Sequence, residues 1–502
     1  MSVSAGLNRL VPIVALSAVV LVAGLLTACE EDTTETAAAA PPEPVTTQVR
    51  VPTDSIDVIG ATSTAGATVE VSRRLFASSP TVVLAAVGDP VAQRIAIVSA
   101  TTLGVPALVD SAEAPVEIDR LHASTVLTFG PTRAVPGAVP VTLDDAAAAA
   151  EVARQGTAAA EPHTMDAIVM TRSAQANAVA VATARIAGAH VIEVPDADPR
   201  TNADVARYLT EHAATPVVAI GAAFAQVAYP LDIVRRGIQQ PTGGYLALAG
   251  KHYTAMYGHP GAPQLGVLGE QGVRASVERV ERLARKYRRV SKAQFVPTFE
   301  IIATVASGSA GKDRNYSTET SVEALRPMVD AAEKAGIYVV LDLQPGRTDF
   351  LTQAKKYRSL LERPHVGLAL DPEWRLTRKQ KHLVQIGSVT AAEINRTSAW
   401  LADLTRDHAL PQKVFVLHQF SSSMIKHRGR VDTSRPELAT VIHVDGSGPQ
   451  GAKQGTWRTL RRNAPPGVGW GWKNFVDEDD PMLNALQTWR RVAPHPDLIS
   501  YQ

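Results

Sequence analysis

Val366-Gly367-Leu368-Ala369-Leu370-Asp371-Pro372-Glu373-Trp374 is a short apolar run that ends in two carboxylates and an indole. Strand side chains alternate between two faces, so Gly367, Ala369, Asp371 and Glu373 fall on one of them. Small residues on that face leave room above them, and the carboxylates stand where the room opens. The same pattern, a buried strand finishing in polar residues and followed by an amphipathic helix, recurs along the second half of the chain. Strands are expected at 253–257, 296–305, 338–343, 366–370, 414–419, 440–444 and 469–472. Between them lie helices such as 273–287, 322–335, 350–361, 391–407 and 456–462. Strand-helix units of this length predict a TIM-like (β/α) barrel, incomplete by one strand.

Side chains at the C-terminal ends of such strands face the site. His259, Glu300, Asp342, Asp371, Glu373, His418, His443 and Asp445 all fall there. The parity that aligns Asp371 with Glu373 also aligns Val340 with Asp342, Val416 with His418, and Val441 with His443 and Asp445. The Asp-x-Glu pair resembles the catalytic motif of several wall-active and chitin-active glycosidase families. That resemblance implies that Glu373 is the general acid and that Asp371 orients it. Neighbouring carboxylates repel, so one of them keeps a proton toward neutral pH. Asp342 and Glu300 are the candidates for a second catalytic carboxylate. The candidate substrate-binding residues are His259, His418, His443 and Asp445, with Trp374 and Trp472 offering flat apolar faces to sugar rings.

Plainer readings stand beside this one. Carboxylates at strand ends also cap helices or pair with arginine, and Arg347 and Arg375 are close in sequence. The histidines read as hydrogen-bonded residues within the barrel mouth. A metal cluster from His259, His418, His443 and Asp445 is the alternative, but no two of these sit at a helical ligand spacing such as H-E-x-x-H. No metal or other cofactor is therefore expected. There is no Gly-x-Ser-x-Gly elbow to support a serine hydrolase.

The cluster Gln239 to Gly244 is rich in turn residues and marks the boundary before the barrel, which is expected to occupy 239–502. Upstream, at 56–238, short apolar strands alternate with alanine-rich helices, which predicts a parallel α/β domain. The pattern runs twice, with the second pass starting near Asp166, as in a tandem repeat. Leu84-Ala85-Ala86-Val87-Gly88-Asp89, the helix to Ala100, and Leu103-Gly104-Val105-Pro106-Ala107-Leu108-Val109 resemble the cell wall-binding repeat 2 family. Thr128-Phe129-Gly130 and Ala219-Ile220-Gly221 match its glycine-terminated strands. The resemblance covers roughly a third of the chain. It implies docking on cell-wall polysaccharide or peptidoglycan. Taken alone, those glycines are the ones any parallel α/β sheet needs for tight turns. No G-x-G-x-x-G or P-loop lysine follows a strand here, so nucleotide binding has no support.

The first residues carry Arg9, an apolar run from Leu10 to Leu26, and then Leu26-Thr27-Ala28-Cys29. This reads as a signal peptide over 1–28 ending in a lipobox. Cys29, the only cysteine of 502 residues, is the expected lipidation site. A single lipidated thiol leaves no disulfide, thiolate metal site or cysteine nucleophile. Residues 29–55 begin acidic and continue rich in Ala, Thr and Pro, as a disordered tether does. With 45% hydrophobic and 20% charged residues the whole chain is of ordinary globular composition. A net charge of +1 gives no field for nucleic acid. The sequence thus predicts a lipid-anchored protein of the extracytoplasmic membrane face, similar to actinobacterial surface lipoproteins. It would bind the wall and hydrolyse a wall glycan. The alternative is a non-catalytic wall-binding or envelope-assembly lipoprotein whose barrel has lost its chemistry.

Overall fold

The computed structural model describes residues 46–155 and 162–502. Cys29, the signal peptide and most of the tether lie outside the described residues. From Val45 onward the chain forms one unit.

A short strand, Gln48–Val49, pairs antiparallel with Phe76–Ser78, so the disordered tether expected over 29–55 ends before it, and two four-stranded parallel sheets follow. Strands β1 (Ile56–Ile59), β2 (Thr81–Ala85), β3 (Ala107–Val109), β4 (Thr125–Phe129), β5 (Ala138–Val141), β6 (Ile168–Thr171), β7 (His190–Glu193) and β8 (Val217–Ile220) supply them. One sheet has the order β3-β2-β4-β5 and the other β7-β6-β8-β1, all neighbours parallel. The Gly88-Asp89 turn after β2 starts a helix, Pro90–Leu103. Asp89 caps it by accepting from the backbone N–H groups of Val91 and Ala92, both at 3.0 Å. Ala107, Leu108 and Val109, part of the stretch that resembles the repeat family, form strand β3 itself and are buried.

The barrel has eight strands, not seven. They are β9 (Lys251–Gly258), β10 (Gln294–Ala306), β11 (Tyr338–Leu343), β12 (Val366–Leu370), β13 (Lys413–His418), β14 (Leu438–Val444), β15 (Gly469–Asn474) and β16 (Leu498–Tyr501). All are parallel, and pairing of β9 with both β10 and β16 closes the ring. The expectation of an incomplete barrel is corrected by β16. That strand is only four residues long and follows Pro494 and Pro496, so it gives no periodicity to read. Outward side chains such as Phe299, Leu341, Leu368 and Phe415 pack against the surrounding helices. Inward, Tyr253, Val296, Tyr338, Val340, Ala369, Val414, Val416 and Val441 fill the lower half of the interior. Tyr338 lies across this floor, and its hydroxyl accepts from the Val414 N–H at 3.0 Å.

The N-terminal sheets dock at the strand-start end of the barrel. Tyr229 donates to the Leu410 carbonyl at 2.9 Å and Arg200 to the Pro436 carbonyl at 2.9 Å, while Gln240, in the boundary segment, donates to the Gln412 carbonyl at 2.7 Å. Leu410 and Gln412 precede β13, and Pro436 precedes β14. These contacts leave the opposite end, where the polar residues gather, to the loops.

The floor depends on Gly367. A Cβ there would lie 2.4 Å from the Val414 carbonyl oxygen and 3.1 Å from the Tyr338 hydroxyl. Gly367→Ala should therefore cost ~1–3 kcal/mol through overpacking. Urea unfolding would show this as a lower midpoint, whereas Gly429→Ala, with nothing within 4 Å of its Cβ, should leave the midpoint unchanged.

Candidate active site

Register brings the predicted residues together. Tyr257 pairs with Glu300 across β9 and β10, and His418 with His443 across β13 and β14. Asp342 is the last residue but one of β11, Asp371 and Glu373 follow β12, Asp445 follows β14, and Lys473 lies near the end of β15. Glu300, Asp342, His418 and His443 have no solvent exposure. His418 is the hub: its Nδ1 lies 2.9 Å from Asp445 Oδ2 and its Nε2 3.0 Å from Glu300 Oε1. Asp342 Oδ1 is 3.8 Å from the same Nε2. His443 places Nδ1 3.6 Å from Glu300 Oε1, and its Nε2 bonds the Ser500 hydroxyl at 3.0 Å. Tyr257 donates to Asp342 Oδ2 at 2.9 Å, and Gln344 donates to the Tyr257 hydroxyl at 3.2 Å. The ammonium of Lys473 stands 3.5 Å from the centre of the Tyr257 ring.

Burial and charge set the protonation states. Burial alone would depress His418, but Glu300 and Asp445 outweigh it and hold the imidazole well above its ordinary range. Burial would likewise raise Glu300, yet His443 and His418 hold it low. Asp445 is also held low, because its bond to His418 overcomes burial. His443 is lowered by burial. Asp342 is pushed up to about 6 by burial, with His418 opposing and Glu300 assisting. Asp371 is raised well above the carboxylate range by burial.

Glu373 differs from all of these because it is half-buried. Burial, then the charge of Asp445, push it up to about 7, against Lys473 and His418. Asp371 positions it: its Oδ1 caps the turn Pro372–Trp374 and accepts from the Glu373 N–H at 3.2 Å. The arginines that were candidates to neutralise this pair go elsewhere. Arg375 makes a two-pronged pair with Glu393 at 2.8 and 3.2 Å. Arg347 donates to the Gln380 carbonyl at 2.9 Å and covers the Tyr316 ring at 4.3 Å. Beside Glu373, Trp374 lies 5.3 Å from His382, ring centre to ring centre, and His382 lies 6.3 Å from Tyr316.

No family model matches the chain, and no curated protein matches it in sequence. Among solved structures it is similar to an aspartate-to-asparagine mutant of the cellobiohydrolase Cel6A from Humicola insolens in complex with methyl-tetrathio-alpha-d-cellopentoside. The identity is 11%, the match covers 45% of this chain and 66% of that one, and the TM-score is 0.24. A likeness that slight carries no argument about the site.

The expectations that Asp342 or Glu300 is the second catalytic carboxylate and that His418 and His443 touch substrate are corrected by burial, since none of the four has any solvent exposure, and the expectation for Trp472 is corrected too. Trp472 offers no face to a ligand, because on β15 the inward residues are Gly471 and Lys473. It points outward, 1% exposed, with its ring centre 5.8 Å from that of Trp457 and its indole N–H donated to Asn474 at 3.0 Å. His259 stays partly exposed beside this cluster, with its Nδ1 bonded to the Ile302 carbonyl at 2.9 Å. Conversely, Tyr257, Lys473 and Ser500 belong to the cluster and were not named from sequence. Parity from Tyr253 reaches Tyr257 and parity from Gly469 reaches Lys473, so both were findable. Ser500 lies on the strand that was missed.

Among the described residues, Glu300, His418 and His443 offer ligand atoms that all lie within 4.8 Å of one another.

A carboxyl raised from 4.5 to about 7 stabilises the fold while protonated in both states, and that contribution is lost as pH rises through about 7. Relative to wild type, Glu373→Gln should therefore be more stable at pH 8 than at pH 4 by the margin that Glu373 loses on ionising. Denaturant titration at both pH values measures it; an equal difference at the two would contradict the assignment.

Proposed function

We propose that the barrel mouth hydrolyses a glycan of the cell envelope, with Glu373 as general acid. What supports this is a half-exposed carboxyl that burial and the Asp445 charge push up to about 7, bound by no arginine among the described residues, above a floor of buried charge. Glu373 gives its proton to the glycosidic oxygen as the bond to the sugar carbon breaks. Water supplies the hydroxyl that ends on the sugar, and the proton this water sheds restores Glu373. Asp445 is the second carboxylate of the pair. One of its oxygens is bonded to His418 and the other, Oδ1, has no partner. Asp371 is a positioning residue for Glu373. Trp374, beside His382 and Tyr316, offers apolar surface to a sugar ring.

The remainder of the reading concerns place. The lipobox at Cys29 would anchor the chain on the extracytoplasmic membrane face, and the N-terminal sheets would hold wall polysaccharide or peptidoglycan. Strand order supports a repeated unit. In the first sheet the order is second-first-third-fourth, and the other sheet repeats it with β1 in the fourth place.

A second reading is a wall-binding or assembly lipoprotein with an inactive barrel. The observation favouring it is how little of the site meets solvent: Asp371 is 3% exposed, Lys473 3% and Asp445 7%.

One experiment separates the two. Isolated cell walls incubated with wild-type protein should release reducing sugar, and release should decline as pH rises through about 7, since Glu373, facing Asp445, Lys473, His418 and Asp371, then loses its proton. Glu373→Gln should lower release by ~10²–10⁴-fold while still pelleting with the walls. Equal release from both proteins would remove Glu373 from the chemistry. Pelleting with no release from either would establish the second reading.

A further inference from the structure

We propose that the barrel interior binds one divalent transition-metal ion of the zinc class, held by the carboxylate of Glu300, Nε2 of His418 and Nδ1 of His443. These three ligand atoms come from β10, β13 and β14 and lie within 4.8 Å of one another. Glu300 Oε1 is 3.0 Å from the His418 nitrogen and 3.6 Å from the His443 nitrogen. Ligands that share one small cation stand at about this separation when each is ~2.0–2.2 Å from it.

The second observation is what the cluster leaves unsatisfied. Glu300 Oε2, His443 Nδ1 and Asp342 Oδ1 are buried without a hydrogen-bond partner. A proton between His418 and Glu300 would serve that pair and leave the other atoms as they are. A doubly charged ion serves the Glu300 and His443 atoms together, and Asp342 adds negative charge beside it.

The outer nitrogens complete the case. A metal-bound imidazole characteristically has its other ring nitrogen fixed by an oxygen. Asp445 does this for His418 at 2.9 Å, and the Ser500 hydroxyl does it for His443 at 3.0 Å. Gly471 makes space for the second ring, since a Cβ there would lie 2.6 Å from the His443 Cδ2. Two imidazoles and a carboxylate suit zinc and its transition-metal neighbours, whereas magnesium and calcium take all-oxygen sets. Three protein ligands leave a coordination position free for water or a substrate oxygen. The sequence reading, which expected no metal, had only strand-end histidines without helical spacing and could not bring Glu300 to them.

The inference goes beyond the hydrolase reading and does not rest on it, because Glu373 is not a ligand. Full-length protein stripped with a chelator and titrated calorimetrically with Zn²⁺ should bind one equivalent, with no comparable binding of Mg²⁺. Ser500→Ala and Asp445→Asn should each weaken binding by ~10–100-fold, and His443→Asn and Glu300→Gln by at least as much. Glu373→Gln should bind Zn²⁺ as wild type does, even where it fails to act on walls. Because substitutions in this interior can impair folding, Co²⁺ added to folded wild type gives an independent readout. It should produce visible absorption bands that saturate at one equivalent and disappear on adding Zn²⁺. The proposal is overturned if folded wild type shows no saturable Zn²⁺ or Co²⁺ binding, if Mg²⁺ binds as tightly as Zn²⁺, or if folded His443→Asn keeps full affinity.

Discussion

An imidazole with no solvent exposure, bonded at one nitrogen to Asp445 and at the other to Glu300, is the constraint on which the barrel mouth depends. Isolated charges are expensive to bury, so such a group persists only where its partners are fixed. His418 meets that condition by joining three different strands through the interior. Removing one partner of a buried pair typically costs ~3–5 kcal/mol, since the remaining charge is left uncompensated. The layers beneath are shaped accordingly: Ala369 under Asp371, Gly471 against His443, and Gly367 yielding to the Tyr338 ring. A mouth built this way holds its charged groups in place through their mutual bonds, which is what electrostatic preorganisation requires.

The strand ends were legible because two-residue parity is a strict geometric rule and the barrel interior enforces it. Asp342, Asp371, His418, His443 and Asp445 all came from counting along apolar runs. Parity fails where strand limits are misjudged. Ending β15 at Trp472 concealed Lys473 and suggested an inward indole; continuing to Asn474 places Trp472 outside, against Trp457. The eighth strand, Leu498–Tyr501, was too short to register and took Ser500 with it. Connections across the ring, such as Glu300 with His418, join residues more than a hundred positions apart and have no local signature. In the N-terminal half, the glycine and aspartate after β2 were legible as a motif. Their physical role, a turn and a helix cap, explains why such a motif recurs in parallel α/β sheets whatever they bind.

The site divides into two environments. Below, Glu300, Asp342, His418 and His443 have no solvent exposure, and Glu300 Oε2, Asp342 Oδ1 and His443 Nδ1 lack hydrogen-bond partners. Above, Glu373 is half-exposed, set at the edge by the turn that Asp371 caps, with its arginine neighbours engaged by Glu393 and Tyr316. This separation lets one carboxyl hold a proton near neutral pH a short way from a carboxylate bonded to an imidazole. The N-terminal sheets contact the strand-start end of the barrel and leave the mouth uncovered by them.

The central claim is that Glu373 carries a proton near neutral pH. The direct measurement is a carbon-13 NMR titration of protein labelled at glutamate side-chain carboxyls, with the Glu373 signal identified by its loss in Glu373→Gln. A midpoint near pH 7 is the result predicted by its burial and the neighbouring Asp445 charge. A midpoint near 4.5, the ordinary glutamate value, would contradict it.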